Sequence, residues 1–104
     1  MSYIEELKSV IRKLHGAEPK HIESVPVKEV FNGQTVWDGV VEIFTLSGHP
    51  VASTVYAWTH DTDDPENPHR HVTVLGVHPI RSARDAVKAA IAQEFRSLEP
   101  TEEN

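Results

Sequence analysis

The chain predicts an α+β fold: a two-layer sandwich in which a four-stranded antiparallel meander carries two helices on one face, in the order α-β-β-β-β-α. Three observations carry that expectation. Apolar residues recur at helical spacing at the two ends of the chain, near residues 4–14 and 83–98. The middle alternates apolar and polar residues at strand spacing. Turn signals divide that middle at Asn32-Gly33, at Ser47-Gly48-His49-Pro50 and at the polar run 61–68, so the connections are too short for parallel crossovers. With 104 residues the chain fits one domain, set at 1–98, followed by a flexible acidic tail at 99–104.

The first helix is expected over residues 3 to 15. Ser2 and Glu5 have the spacing of a capping box, in which each side chain meets the other residue's backbone amide. Ile4, Leu7, Val10, Ile11 and Leu14 then form one apolar stripe, with acids in the first turn and Arg12, Lys13 and His15 in the last, as the helix dipole favours. Gly16 suits the C-terminal cap. Residues 24–31 read as a strand confined to a sheet edge, because Pro26 cannot donate to a ladder. Asn32-Gly33 is a hairpin turn, since both residues tolerate positive φ. The run 35–46 is the longest strand candidate, with Gly39 marking a bulge or a close approach. Two more strands are expected at 51–60 and 70–78. Ser82 and Asp85 repeat the capping spacing, and Ala83, Ala86, Val87, Ala90, Ile91, Phe95 and Leu98 then share one face of a second helix that Pro100 ends.

This order resembles that of the double-stranded-RNA-binding domain, a helix, three strands and a helix, with one strand added in front. The stretch SARDAVKAA (82–90) is similar to that family's second helix. The family places a cluster of lysines at the start of this helix. Here the basic residues are Arg81, Arg84 and Lys88, with Asp85 among them.

Composition narrows the function classes. There are no cysteines, which removes disulfides, thiolate metal sites and cysteine nucleophiles. No leader-like or membrane-spanning run is present, so a soluble cytoplasmic protein is expected. The net charge is −6, yet the loop acids Asp61, Asp63, Asp64 and Glu66 and the tail acids Glu99, Glu102 and Glu103 more than account for it. The body is therefore near neutral, and a polyanion gains little from it; nucleic acid is not an expected partner.

Two groups of residues are candidates for function. With both helices on one face, the opposite face would be open, and Trp37, Phe44, Tyr56 and Trp58 on neighbouring strands would supply an aromatic ligand-binding or interface patch. Such a patch could stack bases, but strands 35–69 carry no Lys or Arg to rim it. The second group lies at the mouth of the 60–71 hairpin, where His60, His69 and His71 with Asp61 offer imidazole and carboxylate ligands for a divalent metal. A calcium loop is a poorer match: counting from Asp61, the sixth and twelfth positions hold Glu66 and Val72, where Gly and Glu are needed. His60 with Asp38 or Glu42, and His78, are acid–base candidates. There is no nucleophile elbow, phosphate loop or dinucleotide fingerprint, so no cofactor is expected and catalysis is disfavoured. The sequence is thus best read as a small binding or assembly domain, a homodimer associating through the open face or an edge of its sheet. The alternative is a ligand- or metal-binding domain, conceivably an enzyme, that uses the hairpin mouth.

Overall fold

A computed structural model describes residues 2–61, 64–66 and 68–98, with the side chains of 94–98 excepted. The acidic tail expected at 99–104 lies outside the described residues, as do Thr62, Asp63 and Asn67 of the polar loop. The elements are α1 (Tyr3–His15), β1 (Glu18–Phe31), β2 (Gln34–Ser47), β3 (Thr54–Asp61), β4 (His69–Leu75) and α2 (Ala83–Leu98). The four strands form one antiparallel sheet in the order β1-β2-β3-β4, the expected α+β meander between two helices.

Local chemistry accounts for the boundaries. The Ser2 hydroxyl accepts from the Glu5 amide at 3.1 Å, and Gly16 closes α1 in the left-handed region. Asn32 and Gly33 have φ of 52° and 77°, the pair of positive angles a two-residue hairpin turn requires. Ser82 accepts from the Asp85 amide, and the Asp85 carboxylate accepts from the Arg81 amide at 3.0 Å. The edge position expected for β1 is observed, but the strand starts six residues before Ser24 and takes in Pro19 as well as Pro26. Its register shifts twice, between His21 and Glu23 and between Glu29 and Val30.

The helices do not share a face, which corrects the two-layer expectation. Leu7 and Ile11 of α1 pack with Phe44, Leu46, Val55 and Ala57. Ala83, Ala86 and Val87 of α2 pack with Val27, Val41, Tyr56 and Trp58. In a strand, neighbouring residues point to opposite sides. Val55 and Ala57 therefore mark face A, under α1, and Tyr56 and Trp58 mark face B, under α2. The physical reason is burial. All four residues from Val55 to Trp58 are buried, and each helix has an apolar stripe wide enough to cover only one side. Fully burying a side chain such as Leu7 or Ile11 is worth about 1.5–3 kcal/mol, so leaving either face bare would be costly.

β2 and β3 pair only over Glu42–Thr45 and Thr54–Ala57. Beyond that point the β1–β2 and β3–β4 hairpins diverge. On face B, Trp37 and Trp58 meet edge to face across the fork, with ring centroids 5.4 Å apart. Trp37 folds back over Gly39, where a Cβ would lie 3.2 Å from the ring; this is the close approach the glycine signalled.

Candidate functional site

The aromatic group does not form an exposed patch. Phe44 is fully buried under α1, while Tyr56 and Trp58 are buried under α2. Burial, with Asp85 adding to it, pushes the Tyr56 phenol above its ordinary pKa. Only Trp37 is partly accessible. The open face proposed for these residues is filled by the second helix.

The hairpin mouth also differs from the convergent arrangement. The register sets His60 opposite Arg70, Asp61 opposite His69, and Thr59 opposite His71. By strand alternation His60 and Arg70 lie on face B, whereas His69 and His71 lie on face A. His60 Nδ1 donates to the Asp61 carbonyl at 3.1 Å, His69 Nδ1 meets the Asp61 carboxylate at 3.1 Å, and His71 Nδ1 meets the Thr59 hydroxyl at 2.6 Å. Among the described residues no group of three His, Asp or Glu side chains is placed to hold a metal ion. Asp63 of the same loop lies outside the described residues.

The structure instead brings together a different set. A cleft of 870 Å³ wraps the outer edge of β4. On the face B side its walls are Trp37, Trp58, His60, Arg70, Val72 and Val74, closed by Ile80 and by Ala89, Ala90, Ile91 and Gln93 of α2. On the face A side are His71, Thr73 and Leu75, with Leu14 and His15 from the end of α1. The sequence explains why the cleft stays open. The α2 stripe is tightly buried from Ala83 to Val87 but only half-buried at Ala90 and Ile91. Leu14, the last member of the α1 stripe, is 64% exposed because the final turn of α1 overhangs the strand.

The polar groups here have distinct environments. His15 Nε2 lies 2.8 Å from the Thr73 hydroxyl, and its ring packs edge-on against His49 at 6.3 Å. Burial, and secondarily the nearby His49, lowers the pKa of His15 below its ordinary value. His49 in turn shapes the connection to β3, its Nδ1 accepting from the amides of Val51 and Ala52. The Trp58 indole N–H is buried with no hydrogen-bond partner. Arg70 has no ion-pair or hydrogen-bond partner among the described residues.

A second polar cluster lies on face A toward β1. Glu42 is only 6% exposed and accepts from His21 Nε2 at 2.9 Å and from the Ser24 hydroxyl. Both partners meet the same carboxylate oxygen, and His21 also packs edge-on against Phe44. Ser24 Oγ also lies 3.4 Å from His21 Nε2, but the hydroxyl and that nitrogen both turn to Glu42 Oε1, so the arrangement satisfies a buried carboxylate beside the β1 bulge rather than pairing a nucleophile with a base.

The cleft escaped the sequence reading. Nothing in the sequence singles out Arg70, and the Trp58 side chain was expected on an open face. A usable signal was present: β2 and β3 are apolar on both alternating sets, which argues for cover on both faces and hence for the sheet edges as the accessible parts. Set against protein-family models, curated proteins and solved structures, the chain matches none. The likeness to the double-stranded-RNA-binding domain is therefore one of element order.

Proposed function

We propose that this protein is an assembly domain that self-associates by pairing the free edge of β4 with β4 of a second copy. Of the two surfaces expected from the sequence, the open face and an edge of the sheet, this reading keeps the edge. The observation that carries it is the state of that edge. β4 pairs with β3 alone, its seven residues include no proline and no bulge, and the cleft leaves its outer side uncovered. A bare edge of this kind offers a row of unpaired amides and carbonyls to another strand.

The sequence of β4 suits a symmetric pairing. A two-fold axis at Val72 sets His71 against Thr73 of the second copy, Arg70 against Val74 and His69 against Leu75. No pair of like charges faces another across that register, and the closed two-fold arrangement consumes both free edges. Sedimentation velocity and native mass spectrometry at micromolar concentration are expected to give a dimer. Amides of residues 69–75 are expected to lose exchange protection on dilution. A monomer across the micromolar range removes the reading.

A further inference from the structure

We infer that the part of the cleft between β4 and α2 is a binding site for a small organic monocarboxylate with an aromatic or branched apolar body. This goes beyond strand pairing and does not depend on it: pairing uses the outer backbone of β4, whereas the ligand meets side chains on face B. The first observation is the charge of the lining. Among the described residues no acidic side chain lines the cleft, while Arg70 and His60 do so on the face B side. In a protein of net charge −6 that lining leaves an anion in the cleft facing a cation and no described carboxylate.

The second observation is a pair of unused donors, the Arg70 guanidinium and the Trp58 indole N–H. Arg70 carries a guanidinium with no partner among the described residues, on the same face as His60 and directly across from it. His60 donates through Nδ1 to a backbone carbonyl, so its ring is already engaged and it is not counted among the unused donors. On the same face of β3, the Trp58 indole N–H is buried and unmatched. A buried donor without an acceptor costs about 1–3 kcal/mol, and native proteins leave few of them. A guanidinium fork fits a carboxylate in two parallel hydrogen bonds.

The remaining walls set the body of the ligand. Val72, Val74, Ile80, Ala90 and Ile91 are apolar, and Trp37 adds an aromatic surface. One permanent cation matches one negative charge, so a phosphate ester or a dianion would be left short of partners. A cation would meet Arg70 with no carboxylate among the described lining residues to hold it. The whole cleft, both sides of β4 together, measures 870 Å³, and small-molecule sites occur from about 300 to 1,000 Å³, so its face B part need take up only a fraction of that volume to hold a small organic acid.

The test uses phenylacetate, phenylacetamide and acetate as probes on the full chain, followed by amide chemical shifts and tryptophan fluorescence. Phenylacetate is expected to bind, shifting residues 70–74 and 89–93 and changing the Trp58 emission. The amide and the bare acetate should each bind at least about tenfold more weakly, because one lacks the charge and the other the body. Arg70→Gln, at an exposed position, is expected to fold with an unchanged melting temperature and to lose about tenfold in phenylacetate affinity. Equal affinity for acid and amide, full affinity in Arg70→Gln, or no binding of phenylacetate at millimolar concentration would each overturn the inference. Sedimentation of the same samples keeps strand pairing and ligand binding separate.

Discussion

β1 and β4 each leave one side of their backbone unpaired, and the two are built differently. β1 runs for 14 residues, interrupted by Pro19 and Pro26, bent by two register shifts and lined with Glu18, Lys20, Glu23 and Lys28. It is also tied down at both ends. Arg12 of α1 grips Glu18 with two hydrogen bonds of 3.0 and 2.7 Å, and Arg84 of α2 pairs with Glu29 and reaches the Lys28 carbonyl. β4 is half as long, keeps one register throughout and is rich in valine, and among the described residues only the His15–Thr73 hydrogen bond reaches it from a helix. Prolines, charges and bulges are the devices that keep a sheet edge from recruiting another strand. Their concentration on one edge teaches that the sheet is open for pairing in one direction.

The largest effect is expected from moving a guard onto β4. Thr73→Lys places a charge on the strand at a half-buried position beside its own histidines. The dimer should weaken by at least about tenfold in dissociation constant, read by sedimentation equilibrium, while the circular dichroism spectrum stays that of the wild type. An unaltered dimer would show that the interface lies elsewhere. The converse change tests the other edge. Pro26→Val, made together with Pro19→Val, restores two ladder donors to β1 and should let dimers associate further. Light scattering is expected to show species larger than the dimer; a dimer of unchanged mass would mean that the charges and bends of β1 suffice without the prolines.

The element order, the turns and the caps were legible in the sequence because each rests on local chemistry: Ser2 with Glu5, Asn32 with Gly33, Ser82 with Asp85. The edge position of β1 was legible from Pro26 for the same reason. The assignment of helices to faces was not, because it is settled by long-range competition between two apolar sets on β2 and β3 that look alike in sequence. Once α2 covers face B, Tyr56 and Trp58 change from candidate interface to core, and His60 parts from His69 and His71 by the one-residue parity of a strand. Arg70 acquires its place in the cleft by the same parity.

The third prediction compares how firmly each edge strand is fastened. Glu42→Ala removes the acceptor shared by His21 and Ser24 and leaves a half-buried cluster without its anion. The expected loss is about 1–3 kcal/mol, read by urea denaturation. Thr59→Val removes the corresponding bond to His71 on β4, a neutral and less buried contact, and should cost about 1 kcal/mol or less. Equal losses at the two sites would erase the difference in fastening.

The smallest effect concerns pH and the one helix contact that reaches β4. Burial holds His15 below its ordinary pKa of 6.5, so the native protein binds fewer protons at this site than the unfolded chain does. Stability then rises with pH where the two states differ in protonation, and is lost as pH falls through 6.5 toward the lower native value. Above 6.5 the contribution of His15 is level. His15→Gln keeps a hydrogen-bonding group near Thr73 and removes the titration, so its melting temperature should depend less on pH across that window than that of the wild type. Thr73→Val removes the hydroxyl but leaves the imidazole buried, and it should retain the wild-type dependence. If His15→Gln and the wild type lose stability in parallel on acidification, the pH dependence belongs to other histidines, and the α1–β4 contact has no part in it.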